Sequence, residues 1–383
     1  MNYYTLPKIN NKIIVDPHVN TDNIKPYISQ TLILYYNKII EEIQQLEQTN
    51  IEHEKQNELY NEIFKIVNPY QYIFSKVPGS KFSVSKIKTK SIMFYDLYEI
   101  FQTINLLDSF KFDIMNSLIV GENYEDSLEC LEMLRENYNI DKFFCFNEYN
   151  TKLHNCIENT KFNFIIYELN NYNNINQYII NLVELLIIIF NQLKENSIVI
   201  IKINNLFYKP ILEIVYLLNS LFEKTFIIKP NTSDATSFDK YIVLQKLKLN
   251  HYDYDLFYNY NTILTNFVKK YSVNMNLNAN VSDNHNSAHN SPHNSNHNSE
   301  LNIQNIINFE LPYFFLNKID DINIIIGQQQ LEALNQIINI WKSKNIEEKI
   351  EIMKKNNIQK SVNWCEKFKI PCNKFSEKIN IFL

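Results

Sequence analysis

The stretch from Ile198 to Leu249 constrains the fold more than any other part of this chain. It opens with a short β-branched run, Ile198 to Ile203, interrupted by the single charge of Lys202. Ile211, Ile214, Val215, Leu218 and Leu221 then recur at helical spacing, which predicts an amphipathic helix. Phe226 to Ile228 reads as a strand stopped by Pro230. A turn-rich link follows, and Tyr241 to Leu247 reads as another strand. Strand, helix, then two strands on a short link places a parallel sheet here, closed by one antiparallel strand.

Upstream, the same alternation continues. Asn116 to Val120 reads as a strand closed by Gly121. A helix over Tyr124 to Tyr138, a strand at Lys142 to Phe146, a strand at Phe162 to Tyr167 and a long apolar helix over Asn173 to Lys194 follow. Strands and helices alternating at these intervals predict an α/β sheet with right-handed crossovers. The first 24 residues read as extended and poorly structured, and helices are expected from Pro26 and over Asn57 to Val67. A helix is also expected from about Met93 to Asn105. Near the C-terminus, Leu331 to Trp341, Ile346 to Lys355 and Val362 to Phe368 read as helical, with Trp341 and Trp364 as core residues of that tail.

Composition bears on what such a sheet can do. Only three glycines, Gly79, Gly121 and Gly327, serve 383 residues, so few backbone positions can approach a ligand closely. The net charge of −5 gives no global attraction for nucleic acid, and any such contact must come from local lysines. Lys76, Lys81, Lys86, Lys88 and Lys90 provide one cluster, and Lys342 to Lys378 another. Phosphate binding and plain solvation are both open for the first. The cysteines number five, with no CxxC spacing, and are expected as buried thiols in a reducing compartment, with no metal site. No apolar leader is evident, and the run Ile179 to Phe190 is too short and too interrupted to span a bilayer. A cytoplasmic location and no membrane partner are expected. Residues 272–302, with His285, His289, His293 and His297 in an Asn/Ser background, are expected to lack structure.

The phrase KPNTSDATSFDKYIV, residues 229–243, resembles the KPxxSRxxSSEKYxV pattern of FtsJ-like RNA 2′-O-methyltransferases. KVPGSKFSVSKIKTKS (76–91) and the tail from GQQQLEALNQ to FKIPCN (327–373) look like members of that family from large cytoplasmic DNA viruses. The resemblance implies a Rossmann-like class I methyltransferase sheet binding S-adenosylmethionine. The resemblance covers most of residues 68–375 apart from the His/Asn tract; with the patterns above, the chain divides into an N-terminal helical arm (1–67), a methyltransferase domain (68–271), the His/Asn tract (272–302) and a lysine-rich helical extension (303–383).

By the same resemblance, Lys202 stands at the central lysine of a Lys-Asp-Lys-Glu set, Glu168 at its aspartate and Asp239 at its glutamate. Asp96, in KSIMFYDLYEI, stands where the family carries its first lysine. Three carboxylates and one ammonium would leave about two excess negative charges, which raise carboxylate pKa values and repel phosphate. The cofactor is assigned Gly121, Asn123 and either Asn147 or Glu148, with loop capping as the competing role for each. Two functions are carried forward. One is an S-adenosylmethionine-dependent RNA 2′-O-methyltransferase, with an mRNA cap as one candidate substrate, and with a degenerate catalytic set. The other is a non-catalytic RNA-binding or stimulatory subunit of a viral capping apparatus, working with a protein partner and located in host cytoplasm or virion.

Overall fold

In a computed structural model, residues 2–9, 13–48, 54–135, 138–148, 153, 156–169, 174–248, 253–283 and 301–373 are described. Nine strands are described: β1 (Asn2–Thr5), β2 (Val15–Asn20), β3 (Asn116–Val120), β4 (Lys142–Phe146), β5 (Phe162–Glu168), β6 (Leu193–Ile203), β7 (Phe222–Lys229), β8 (Lys240–Leu247) and β9 (Asn302–Ile307). Seven form one sheet in the order β4-β3-β5-β6-β8-β7-β1, and β2 pairs with β9. Strands β4, β3, β5 and β6 run parallel. β8 runs antiparallel to both β6 and β7, so it is a reversed strand inserted between two strands of like direction.

Helices cover both faces. They are α1 (Gln30–Gln48), α2 (Glu54–Val67), α3 (Gln71–Phe74), α4 (Met93–Ile104), α5 (Tyr124–Leu134), α6 (Ile175–Gln192), α7 (Lys209–Leu221), α8 (Asp253–Asp283), α9 (Tyr313–Trp341) and α10 (Ile346–Lys367). Period-two alternation sorts each central strand between them. Phe164, Ile166, Ile198, Ile200, Tyr241 and Val243 meet α4 and α5. Ile165, Val199, Ile201, Ile227 and Ile242 join the core of α6 and α7. Strands buried on both faces read as near-continuous apolar runs, and the runs in the sequence have that form. Helix α6 is 18 residues long and apolar enough to cross a membrane, but 78% of it is buried inside the fold.

Several expectations need correction. The described residues among the first 24 are not poorly structured: β1 extends the sheet beyond β7, and β2 pairs with a strand nearly 300 positions away. The backbone of α8 stays helical into the His/Asn tract as far as Asp283, and β9 begins at Asn302. The four tract histidines lie outside the described residues. Trp364 is not a tail core residue. It is buried among the α4 side chains beneath the main sheet, and its indole N–H donates to Glu99 at 3.2 Å. Trp341 is half-buried in the helical cluster. Of the cysteines, Cys130 and Cys365 are buried, whereas Cys156 is exposed.

The N-terminal arm packs within the chain. Ile43 of α1 and Ile63 and Ile66 of α2 bury against Leu334, Ile337 and Ile350 of α9 and α10. Where α1 crosses α9, a Cβ on Gly327 would lie 2.4 Å from Leu32 Cδ2, so this glycine is spent on helix packing.

Candidate functional site

In an open α/β sheet, ligands bind outside the carboxyl ends of the strands where the strand order reverses direction. Here the chain steps from β3 outward to β4 and then back to β5, so the reversal lies between β3 and β5. Gly121 follows β3, Glu168 ends β5 and Lys202 lies near the end of β6. Register places Glu168 opposite Lys202 and Lys202 opposite Tyr241, with Ile228 next in the row. Partners in register project to the same face, so the row points toward α4.

The Lys202 ammonium donates to Glu168 Oε1 at 2.7 Å. The same carboxylate also accepts the backbone N–H of Asn123 at 3.0 Å and its side-chain amide at 2.9 and 3.2 Å. Every donor that faces Glu168 in this group is therefore engaged by it. Gly121 is required by that arrangement. Its φ is +147°, and a Cβ there would sit 2.4 Å from Glu168 Cβ and 2.8 Å from Oε2. The glycine makes room for a side chain of the protein itself.

Burial pushes the Lys202 pKa down, but the charges of Glu168, Asp239 and Asp96 outweigh it and hold Lys202 above the usual lysine range. Lys202, Glu168 and Asp239 line a single polar cavity of about 180 Å³ together with Glu122, Asn123 and Asn204. Asp96 does not line it. That residue is fully enclosed, and accepts hydrogen bonds from the hydroxyls of Thr232 and Tyr241, the latter at 3.1 Å. Burial raises its pKa to about 7, against the pull of Thr232, Lys202 and Lys229. Asn147 is exposed beyond the end of β4 and is not part of the cavity lining, and Glu148 beside it is exposed as well.

The expected excess of negative charge does not arise in the form anticipated. Asp96 is withdrawn from the cavity and takes up a proton near neutrality, while a second lysine, Lys229, acts on the same carboxylates. Lys229 is buried, donates to the carbonyls of Asp234 at 2.8 Å and Ser237 at 3.0 Å, and is pushed down by burial against Asp239 and Asp96. Lys240 is fully buried. Its ammonium donates to the Phe238 carbonyl at 2.9 Å and lies 5.8 and 5.7 Å from the Phe207 and Phe238 ring centres. Burial takes its pKa down to about 7. Sequence reading passed over both lysines, although buried positions at strand ends beside Asp239 were legible in the phrase KPNTSDATSFDK.

Glu99, one turn beyond Asp96 on α4, was also missed. It accepts from the Asn231 backbone at 3.0 Å and side chain at 2.9 Å, as well as from Trp364. It clips the 230s link and α10 to the same helix.

Asn123, assigned by resemblance to the cofactor, thus has its backbone N–H and side-chain amide engaged by Glu168, and the cavity is below the roughly 300–1,000 Å³ of ordinary small-molecule pockets. With Glu168 in this position the residues present do not fit S-adenosylmethionine. No protein-family model matches the chain, and a search of curated proteins found no match.

Proposed function

We propose that this chain is a methyltransferase-type protein whose cleft is closed to cofactor, and that it acts as a non-catalytic RNA-binding or stimulatory subunit beside a catalytic chain. The resemblance to FtsJ-like proteins of large cytoplasmic DNA viruses points to an mRNA-capping apparatus as the setting. The sheet order supports this reading: parallel strands with one reversed strand inserted next to the last is the arrangement that class I methyltransferases use. One observation carries the non-catalytic part. Glu168 satisfies Lys202 and both donors of Asn123, so the protein's own carboxylate occupies the place a cofactor carboxylate would need. Displacing it leaves a buried carboxylate without partners, which costs several kcal/mol.

Isothermal titration of the full chain with S-adenosylmethionine tests this. No binding is expected into the millimolar range, and micromolar binding would sink the proposal.

An RNA 2′-O-methyltransferase is the second reading. It is favoured by Lys202, Asp239 and Glu168 lining one cavity at the carboxyl edge, where the resemblance puts catalytic groups. Methyl transfer to capped RNA, lost on Lys202→Ala, would establish it in place of the first.

A further inference from the structure

The loop that carries Lys81, Lys86 and Lys88 does not lie free. Ser85 forms an isolated antiparallel bridge with Cys372. Lys86 donates its backbone N–H to the Pro371 carbonyl, and Asn373 donates to the Val84 carbonyl, each at 2.8 Å. This pairing brings the loop beside the end of α10 and its continuation, where Lys367 and Lys369 are exposed. Exposure alternates along the loop. Lys86 and Lys88 face outward, while Ile87 between them is half-buried and its carbonyl accepts from Tyr95.

Two segments more than 270 positions apart thereby present their lysines together. None of Lys81, Lys86, Lys88, Lys367 and Lys369 pairs with a carboxylate among the described residues. Lys367 Nζ lies 5.1 Å from the Phe368 ring centre, and cations on adjoining segments with no carboxylate partner favour an anionic ligand. Phe82, 59% exposed, stands beside Lys81. An exposed aromatic ring among lysines gives a stacking platform beside backbone-binding charges, the combination that single-stranded nucleic acids use. The loop also reaches the cleft: Lys90 pairs with Glu125 of α5, and its backbone N–H donates to Asp126 at 2.9 Å. Glu122 and Asn123, just ahead of α5, line the cavity.

We infer that the joined 81–88 and 367–369 segments form one docking surface for single-stranded RNA, with Phe82 stacking on a base and the lysines holding phosphates. The inference rests on the RNA-binding reading above, and locates it on a surface assembled from two segments far apart in the chain.

Fluorescence anisotropy of the full chain with a labelled oligouridylate, over a range of salt concentration, is the test. Wild type is expected to bind, and the K86E/K88E/K369E triple variant to bind about tenfold more weakly or worse. Its plot of log affinity against log salt should be shallower by about 0.7 for each phosphate no longer neutralised. Phe82→Ala is expected to weaken binding about tenfold with no change in that slope. All substituted side chains are exposed, so unchanged thermal melting verifies the fold. As a charge-matched control, K38E/K194E/K269E alters exposed lysines outside both lysine clusters and should bind as wild type does.

Tight binding by wild type and the triple variant alike would overturn this surface while leaving the RNA-binding reading in place. Equal weakening by the control would also overturn it, since net charge alone would explain the loss. No oligouridylate binding by wild type at low salt would overturn both. Loss of binding to phosphatidylserine vesicles, but not to RNA, in the triple variant would assign the surface to membrane and overturn the inference.

Discussion

Lys202 and Lys240 sit one register step apart on neighbouring strands, on opposite faces of the sheet, and are in opposite electrostatic conditions. Lys202 keeps 22% of its side chain exposed, meets Glu168 at 2.7 Å, and is held above the usual lysine range despite burial. Lys240 is completely buried with a carbonyl and two ring faces for company, and falls to about 7. Burial penalises a charge on either face, and only a carboxylate at hydrogen-bonding distance offsets that penalty. One face of this sheet edge therefore holds a fixed ion pair, and the other an amine that loses its proton near neutrality.

Replacing each lysine by methionine should break the symmetry most visibly. Lys202→Met strands the buried Glu168 carboxylate and is expected to lower stability by about 3 kcal/mol, as removal of one member of a buried pair does. Urea unfolding at neutral pH measures it. The double variant Lys202→Met/Glu168→Gln should recover a large part of the loss, whereas Lys240→Met alone should be neutral or stabilising. A loss of several kcal/mol in Lys240→Met would mean that its amine is charged and paired.

Gly121→Ala comes next. It sets a methyl against Glu168 at a positive φ, and about 2 kcal/mol of destabilisation is expected from strain and overpacking. A neutral result would show that Glu168 moves out of the cleft at little cost, and would revive cofactor binding.

The pH dependence sharpens the comparison further. The Lys240 pKa is about 7 when folded and 10.5 as the unfolded reference. Between those values the unfolded chain holds more protons, so stability contributed by this group is full above 10.5 and is lost as pH falls to 7. Asp96 is raised from 3.8 to about 7, so its contribution is full below 3.8 and is lost as pH rises to 7. Lys240→Met should remove a rising limb from pH 7 to 10, and Asp96→Asn a falling limb from pH 4 to 7. Each limb has a slope of at most about 1.4 kcal/mol per pH unit. Parallel profiles for variant and wild type in either window would show that the group does not titrate there. Trp364→Phe removes one donor from Glu99 and is expected to cost about 1–2 kcal/mol by chemical denaturation.

The strands flanking the site were largely legible because apolar periodicity is local: β3 and β4 begin and end where the residues predicted, β5 and β8 exceed prediction by one residue, but β6 starts five residues and β7 four residues earlier than read. Helix ends were less so. α9 starts 18 residues earlier than expected, although Phe315, Ile319, Ile322 and Ile326 recur at helical spacing on its buried side, so the signal was present in the sequence and was not read. Lys202, Glu168 and Asp239 were identified as a set by resemblance, and the structure brings them to one cavity. Asp96, Asn123 and Gly121 were identified too, but their partners were not, since Thr232, Tyr241 and Glu168 lie 136, 145 and 45 positions away from the residues they bond.

The sequence by itself determined the order of strands and helices, the near absence of glycine, and the strand on which Lys202 stands. These follow from local propensity and from residue identity. Tertiary structure alone decided that β1 would extend the sheet beyond β7 and that two segments far apart in the chain would meet across Ser85 and Cys372. It alone also decided that Glu168 would take the donors of Asn123. A buried polar group must find a partner wherever the packed fold supplies one, and that choice is made among atoms far apart in the chain.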